Sequence, residues 1–116
     1  MGRYRYFLAI QTRLPEDYLA DAEFRRNLET LRRLGFDGVE LNIPDPDTVE
    51  PRRLKTYLAE FGLVLSMFAS GLTAKTLNLS LATSDEARRK EAIGRTVRFL
   101  EFAHEFGAWI IAGYLK

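Results

Sequence analysis

Leu34-Gly35-Phe36-Asp37-Gly38-Val39-Glu40-Leu41-Asn42-Ile43-Pro44 is the stretch on which the fold turns. Gly35 stands where a helix would end through a left-handed residue. Val39 to Ile43 then alternates apolar and polar side chains with the period of two that marks a strand. A helix stop followed at once by a strand is an αβ link. Pro44, Asp45, Pro46 and Asp47 make a rigid loop after it, and Pro51 suits the first turn of a further helix, where its missing N–H costs little.

The unit repeats on both sides. Upstream, Asp21 can cap a helix whose Phe24, Leu28 and Leu31 fall at i, i+4 and i+7, with Arg25, Arg26, Glu29, Arg32 and Arg33 on its solvated side. Before it, the run Tyr6-Phe7-Leu8-Ala9-Ile10 reads as a strand buried on both faces. Downstream, Leu54, Leu58 and Phe61 repeat the stripe, Gly62 ends it, and Leu63 to Phe68 begins as a third strand. Residues 69–82 have little periodicity and read as a long connection, either mobile or of active-site type. Thr83-Ser84-Asp85-Glu86 has the form of a capping box, and Ile93, Val97, Leu100, Ala103 and Phe106 outline the apolar face of a long helix. Gly107 then precedes Trp109-Ile110-Ile111-Ala112 as it should precede a strand.

The spacing predicts strands over about 6–11, 38–43, 63–68 and 108–113, and helices over about 21–34, 50–61 and 84–106. That order, β-α-β-α-β-α-β, calls for an α/β fold with a parallel sheet and right-handed crossovers. The expectation is one domain over 1–116, the parallel half of a TIM (β/α)8 barrel. A small doubly wound sheet is the alternative, separable because its strand order reverses.

With 116 residues the chain is far shorter than the about 250 of a complete eight-stranded barrel. Its 47% hydrophobic content is enough for a packed core. A formal net charge of +1 gives no field to attract phosphate backbones or acidic membranes, so neither nucleic acid nor membrane is expected as a partner. The lack of cysteine removes disulfides, thiolate metal sites and cysteine nucleophiles. Met1 to Arg5 followed by the short run to Ile10 does not make a signal segment, and no apolar stretch approaches the roughly 20 residues of a membrane span. A soluble, unprocessed, cytoplasmic protein is the expectation. Glycines fall one per connection, without the clustering of a nucleotide-binding loop.

Three stretches together resemble the xylose isomerase-like (β/α)8 barrel superfamily: Leu34 to Leu41, Phe61-Gly62-Leu63-Val64-Leu65, and Asn78-Leu79 through Ser84-Asp85-Glu86-Ala87-Arg88-Arg89 and Glu101-Phe102-Ala103 to Phe106-Gly107-Ala108. The resemblance covers nearly the whole chain and maps to the first four strands, the N-terminal half. It implies descent from a metal-dependent sugar isomerase or epimerase that interconverts aldoses and ketoses. In that family the metal ligands (for Mn, Mg, Co or Zn) and proton-transfer groups come from the later strands, so the resemblance implies no cofactor in this chain and no catalysis by it alone. His104, inside the third helix, is assigned no role.

In α/β barrels, chemistry sits at the carboxyl ends of the strands, which singles out Gln11, Glu40, Asn42, Ser66, Phe68, Ser70 and Tyr114. Of these, Glu40, Asn42, Ser66, Phe68 and Ser70 are the expected substrate-binding residues, with no catalytic residue among them. Glu40 points into the barrel if Val39 and Leu41 face the helices, and serves either a sugar or a structural ion pair. Asn42 binds a hydroxyl or forms a turn before Pro44. Ser66 and Ser70 around Phe68 make either a polar rim with an aromatic platform or a space-filling strand end. Two further readings remain: a half-barrel whose free strand edges drive homodimer or higher assembly without catalysis, and an endonuclease IV-like DNA repair fragment. The second lacks the His ligands of that branch, since Phe68, Ser70, Gly113 and Tyr114 occupy the corresponding strand ends.

Overall fold

A computed structural model describes residues 6–116, so the reading of Met1 to Arg5 lies outside the described residues. Along the chain run β1 (Ala9–Arg13), α1 (Ala22–Arg33), β2 (Gly38–Asn42), a 3₁₀ turn (Pro46–Thr48), α2 (Pro51–Glu60), β3 (Val64–Ala69), α3 (Gly71–Thr76), α4 (Glu86–Phe106) and β4 (Trp109–Ile111). The strands form one parallel sheet in the order β1-β2-β3-β4. Without a reversal this is the arrangement of half an α/β barrel, not of a doubly wound sheet.

Local chemistry starts and stops each helix. The Asp21 carboxylate accepts from the Phe24 N–H at 2.8 Å, while Arg32 and Arg33 sit in the last turn of α1, where the helix dipole favours cations. Pro51 opens α2, and the Glu50 carboxylate accepts from the N–H groups of Arg52 and Arg53 at 3.1 and 2.7 Å. Each αβ link leaves its helix through a glycine with positive φ: +86° at Gly35, +68° at Gly62 and +62° at Gly107. L-residues resist that conformation, which is why each link carries a glycine.

The core lies between one face of the sheet and the helices. Val39, Leu41, Leu65 and Phe68 pack with Phe24, Leu28, Leu54, Leu58, Phe99 and Phe102, all buried. Phe68 meets Phe99 and Phe102 with ring centroids 5.6 and 5.5 Å apart. The opposite face, carrying Glu40, Asn42, Met67 and Trp109, has no helix over it among the described residues.

β3 carries an irregularity that decides where its side chains go. Val39 pairs with Leu65 but Glu40 pairs with Met67, so Ser66 is an extra residue. The Ser66 hydroxyl donates to the Val39 carbonyl at 3.1 Å, supplying a partner where the ladder is interrupted. The bulge puts Leu65 and Phe68 on the same, helix-facing side although three positions separate them.

Several expectations need correction. β1 starts at Ala9, not at residue 6, because the Leu8 N–H turns to the Asp37 carboxylate at 2.8 Å and the ladder begins with Ala9 opposite Gly38. β4 stops at Ile111, since the Gly113 N–H folds back to the Ile111 carbonyl at 2.9 Å. The connection 69–82 contains α3, whose six residues are too few for a periodic signal. α4 starts at Glu86 with Asp85 as its cap, accepting from the Arg88 N–H at 3.1 Å; Thr83 instead accepts from the Asp85 N–H. The buried face of α4 is Ala92, Phe99, Phe102 and Ala103, and Ile93, Val97 and Leu100 are exposed. The rings of Phe99 and Phe102 fill the space over Phe68 better than the branched stripe would.

Tyr57 is buried in an aromatic group with Tyr18, Phe24 and Phe61, and its hydroxyl has no hydrogen-bond partner among the described residues. Burial pushes the phenol above its ordinary value of 10.0, against the opposing Arg25 guanidinium. An unmade hydrogen bond is a cost, so Tyr57→Phe is expected to raise stability in urea unfolding by up to about 1 kcal/mol. It also removes part of the stability lost as pH rises above 10.0, where unfolded tyrosine ionises while the folded phenol does not.

Gly107 and Gly94 offer a paired test, because a Cβ meets nothing within 4 Å at either position. Gly107→Ala is expected to cost about 1 kcal/mol from its left-handed backbone, whereas Gly94→Ala inside α4 gains about 0.5–1 kcal/mol. Urea unfolding checks both, and effects of the same sign contradict the conformations described.

Candidate functional site

The register of the first two strands assembles a polar group on the face without helices. Gln11 lies opposite Glu40, and Arg13 opposite Asn42. Because Val39 and Leu41 face the core, alternation turns Glu40 and Asn42 away from it, and their pairing partners with them. The Gln11 side-chain amide donates to Glu40 Oε1 at 2.9 Å. Glu40 Oε2 has no hydrogen-bond partner among the described residues. Glu40 and Asn42 are half-buried, while Gln11 and Arg13 are exposed. A carboxylate oriented by a neutral amide, with one oxygen free, suits acceptance of hydrogen bonds from hydroxyl groups.

Further across the sheet the same face becomes apolar. Met67 stands opposite Glu40 and Trp109 opposite Met67; Trp109 is 76% exposed.

Above the carboxyl ends of β1 and β2 lies a cleft of about 250 Å³ lined by Arg13, Pro15, Glu16, Ile43, Asp45 and Thr48 among others. Asp45 is held from behind. Arg95 of α4 reaches its carboxylate at 3.2 Å and that of Asp47 at 2.6 Å, and Arg98 reaches Asp47 at 3.1 Å. The Asp45 carboxylate also accepts from the Asp47 N–H at 3.0 Å, and its carbonyl from the Thr48 hydroxyl at 2.7 Å. These bonds fix the floor of the cleft to the helix layer.

The remaining expected residues go elsewhere. Phe68 is fully buried against α4 and offers no platform to a ligand, because the bulge at Ser66 turns it toward the helices. Ser66 is committed to the Val39 carbonyl. Ser70 is fully buried; its hydroxyl donates to the Ile111 carbonyl at 2.8 Å and accepts from the Gly113 N–H at 3.1 Å, joining the ends of β3 and β4. Tyr114, with φ at +60°, covers Lys75, whose ammonium lies 3.9 Å from the ring centroid. Glu40 has an amide partner in place of the structural ion pair considered for it. Arg13 and Asp45 join the site without being among the expected residues. Arg13 shares a period-two spacing with Gln11, but only its register opposite Asn42 places it in the site.

The donor set does not suit a metal cluster. Among the described residues, no three His, Asp or Glu side chains gather to hold an ion. Asp45 and Asp47 are engaged by arginines, and His104 is exposed in the last turn of α4. No helix among the described residues is long and apolar enough to cross a membrane.

Comparison with known proteins adds two findings. A family model described as xylose isomerase-like TIM barrel matches residues 28–115. A protein of Synechocystis sp. (strain ATCC 27184 / PCC 6803 / Kazusa) named "Probable ketose 3-epimerase" is 29% identical over 98 residues, covering 84% of this chain and 32% of its own length. The chain therefore spans about a third of that relative.

Arg95→Met keeps the apolar stem of the side chain and removes the charge. It is expected to cost about 1 kcal/mol, the partial exposure of both partners limiting the effect. Amide exchange at Asp47, Thr48 and Val49 should quicken by about fivefold. Unchanged exchange in that loop would show that the arginine does not hold it.

Proposed function

Because the chain belongs to the xylose isomerase-like TIM barrel family, we propose that the β1–β2 part of its helix-free face binds a ketose as one wall of a sugar isomerase or epimerase pocket. The observation that carries this reading is the Gln11–Glu40 pair flanked by Arg13 and Asn42. The likeness of 84% of the chain to a protein named a ketose 3-epimerase supports the substrate class.

The chemistry follows from the groups present. Glu40, oriented by Gln11, accepts hydrogen bonds from one or two sugar hydroxyls. Asn42 both donates and accepts, and Arg13 supplies a cation at the strand end. Inverting a carbon beside a ketone carbonyl needs a proton removed on one face and returned on the other, hence two acid–base groups flanking the carbon. This face supplies a single carboxylate, Glu40, among its described side chains. Binding without turnover is therefore the activity proposed for these residues by themselves. A metal in the family reaction would need ligands other than these side chains, since no three His, Asp or Glu gather among the described residues.

Titrating the labelled protein with ketohexoses tests this. Shifts are expected at Gln11, Arg13, Glu40 and Asn42, with Glu40→Gln weakening binding by roughly tenfold, the loss of one charge-assisted hydrogen bond. Shifts confined to other surfaces, or epimerisation of the ketose by the chain alone, would contradict the reading.

A further inference from the structure

We propose that Tyr114, held just beyond the carboxyl end of β4, is an aromatic platform for the carbon-bound hydrogens of the ketose, a second wall of the pocket across the sheet from Glu40. This role rests on the sugar-binding reading of the β1–β2 wall.

The backbone singles the residue out. Tyr114 has a φ of +60°, and among the described residues the one other non-glycine residue with positive φ is Asn78. Asparagine tolerates that conformation; a bulky aromatic residue adopts it only where its surroundings impose it, and such strain gathers at sites that hold ligands. Here both neighbours are pinned. The Gly113 N–H donates to the Ser70 hydroxyl at 3.1 Å, and Leu115 is buried, its carbonyl accepting from the Leu81 N–H at 2.6 Å. With Gly113 and Leu115 tied down, the residue between them stands out of the core.

The ring also has a prepared bed. A Cβ at Gly71 would lie 3.1 Å from Tyr114 Cδ2, and one at Gly113 would lie 3.4 Å from the Gly71 Cα, so two glycines make room for the ring at the ends of β3 and β4. Glycine is a weak helix former, and at the start of α3 the ring explains it better than the helix does. The Lys75 ammonium, 3.9 Å from the ring centroid, fixes the ring by a cation–π contact.

The chemistry complements that of the first wall. β4 lies two strands from β2, about 10 Å away, a gap that a hexose fills together with the side chains reaching toward it. Sugars carry hydroxyls at their edges and carbon-bound hydrogens on a face, and the negative face of an aromatic ring attracts those hydrogens. Glu40 and Asn42 address hydroxyls, and Tyr114 addresses the C–H face that they leave. Phe68, the aromatic residue expected for that task, is in the core.

Titration of the labelled protein with D-fructose tests the platform. Nuclear Overhauser contacts are expected from the Tyr114 ring protons to carbon-bound protons of the sugar. Tyr114→Phe should keep the affinity within about twofold, and Tyr114→Gly should weaken it about fivefold. Glycine takes the positive φ freely, so the second variant should fold; Tyr114→Asn, also at home in that conformation, decides if it does not. Shifts at Gln11 and Glu40 with no contact to Tyr114, or unchanged affinity in Tyr114→Gly, would overturn the platform and leave the β1–β2 reading standing. Contacts to Tyr114 without shifts at Gln11 and Glu40 would do the reverse, and silence at both would overturn both. Equal losses in Tyr114→Phe and Tyr114→Gly would identify the hydroxyl as the recognised group and likewise contradict the platform.

Discussion

The packing of Val39, Leu41, Leu65 and Phe68 against the long helices decides which side chains of the sheet are left for anything else. Each strand has two faces, and alternation means that a residue given to the core fixes its neighbours on the other side. With the helices over one face only, Gln11, Arg13, Glu40 and Asn42 are gathered without any loop having to place them. That is an economical way to build a binding wall, because rigid strands hold it. It also exposes the apolar strip of Met67, Trp109 and Ile111, which water does not favour.

One residue modulates this arrangement. Ser66 enters β3 as a bulge, and its hydroxyl meets the carbonyl that the bulge strands. Under strict alternation Ser66, Phe68 and Ser70 share a face, and an aromatic platform between two hydroxyls follows naturally. With the bulge, Phe68 joins Leu65 in the core and Met67 takes the place opposite Glu40. The chemistry open to β3 therefore changes from polar and aromatic to thioether.

Much of the architecture was legible because its signals are local. The glycine at each αβ link, the alternation from Val39 to Ile43 and the aspartate cap at Asp21 each depend on a few neighbouring residues. What escaped depends on distant partners. α4 carries two apolar stripes, and only the position of Phe68 selects Phe99 and Phe102 over Ile93, Val97 and Leu100. A bulge leaves no mark in composition. The site divides along the same line: Glu40 and Asn42 were readable from alternation in one strand, whereas Arg13 needed the register with β2 and Arg95 needed a loop folded against a helix.

The bulge sends Phe68 and Met67 to opposite sides of the sheet, and proton–proton contacts measured by nuclear magnetic resonance report this directly. Contacts from the Phe68 ring to the rings of Phe99 and Phe102, together with contacts from the Met67 side chain to Trp109 and Glu40, are the predicted result. Contacts from the Phe68 ring to Glu40 or Trp109, with Met67 against α4, would contradict it.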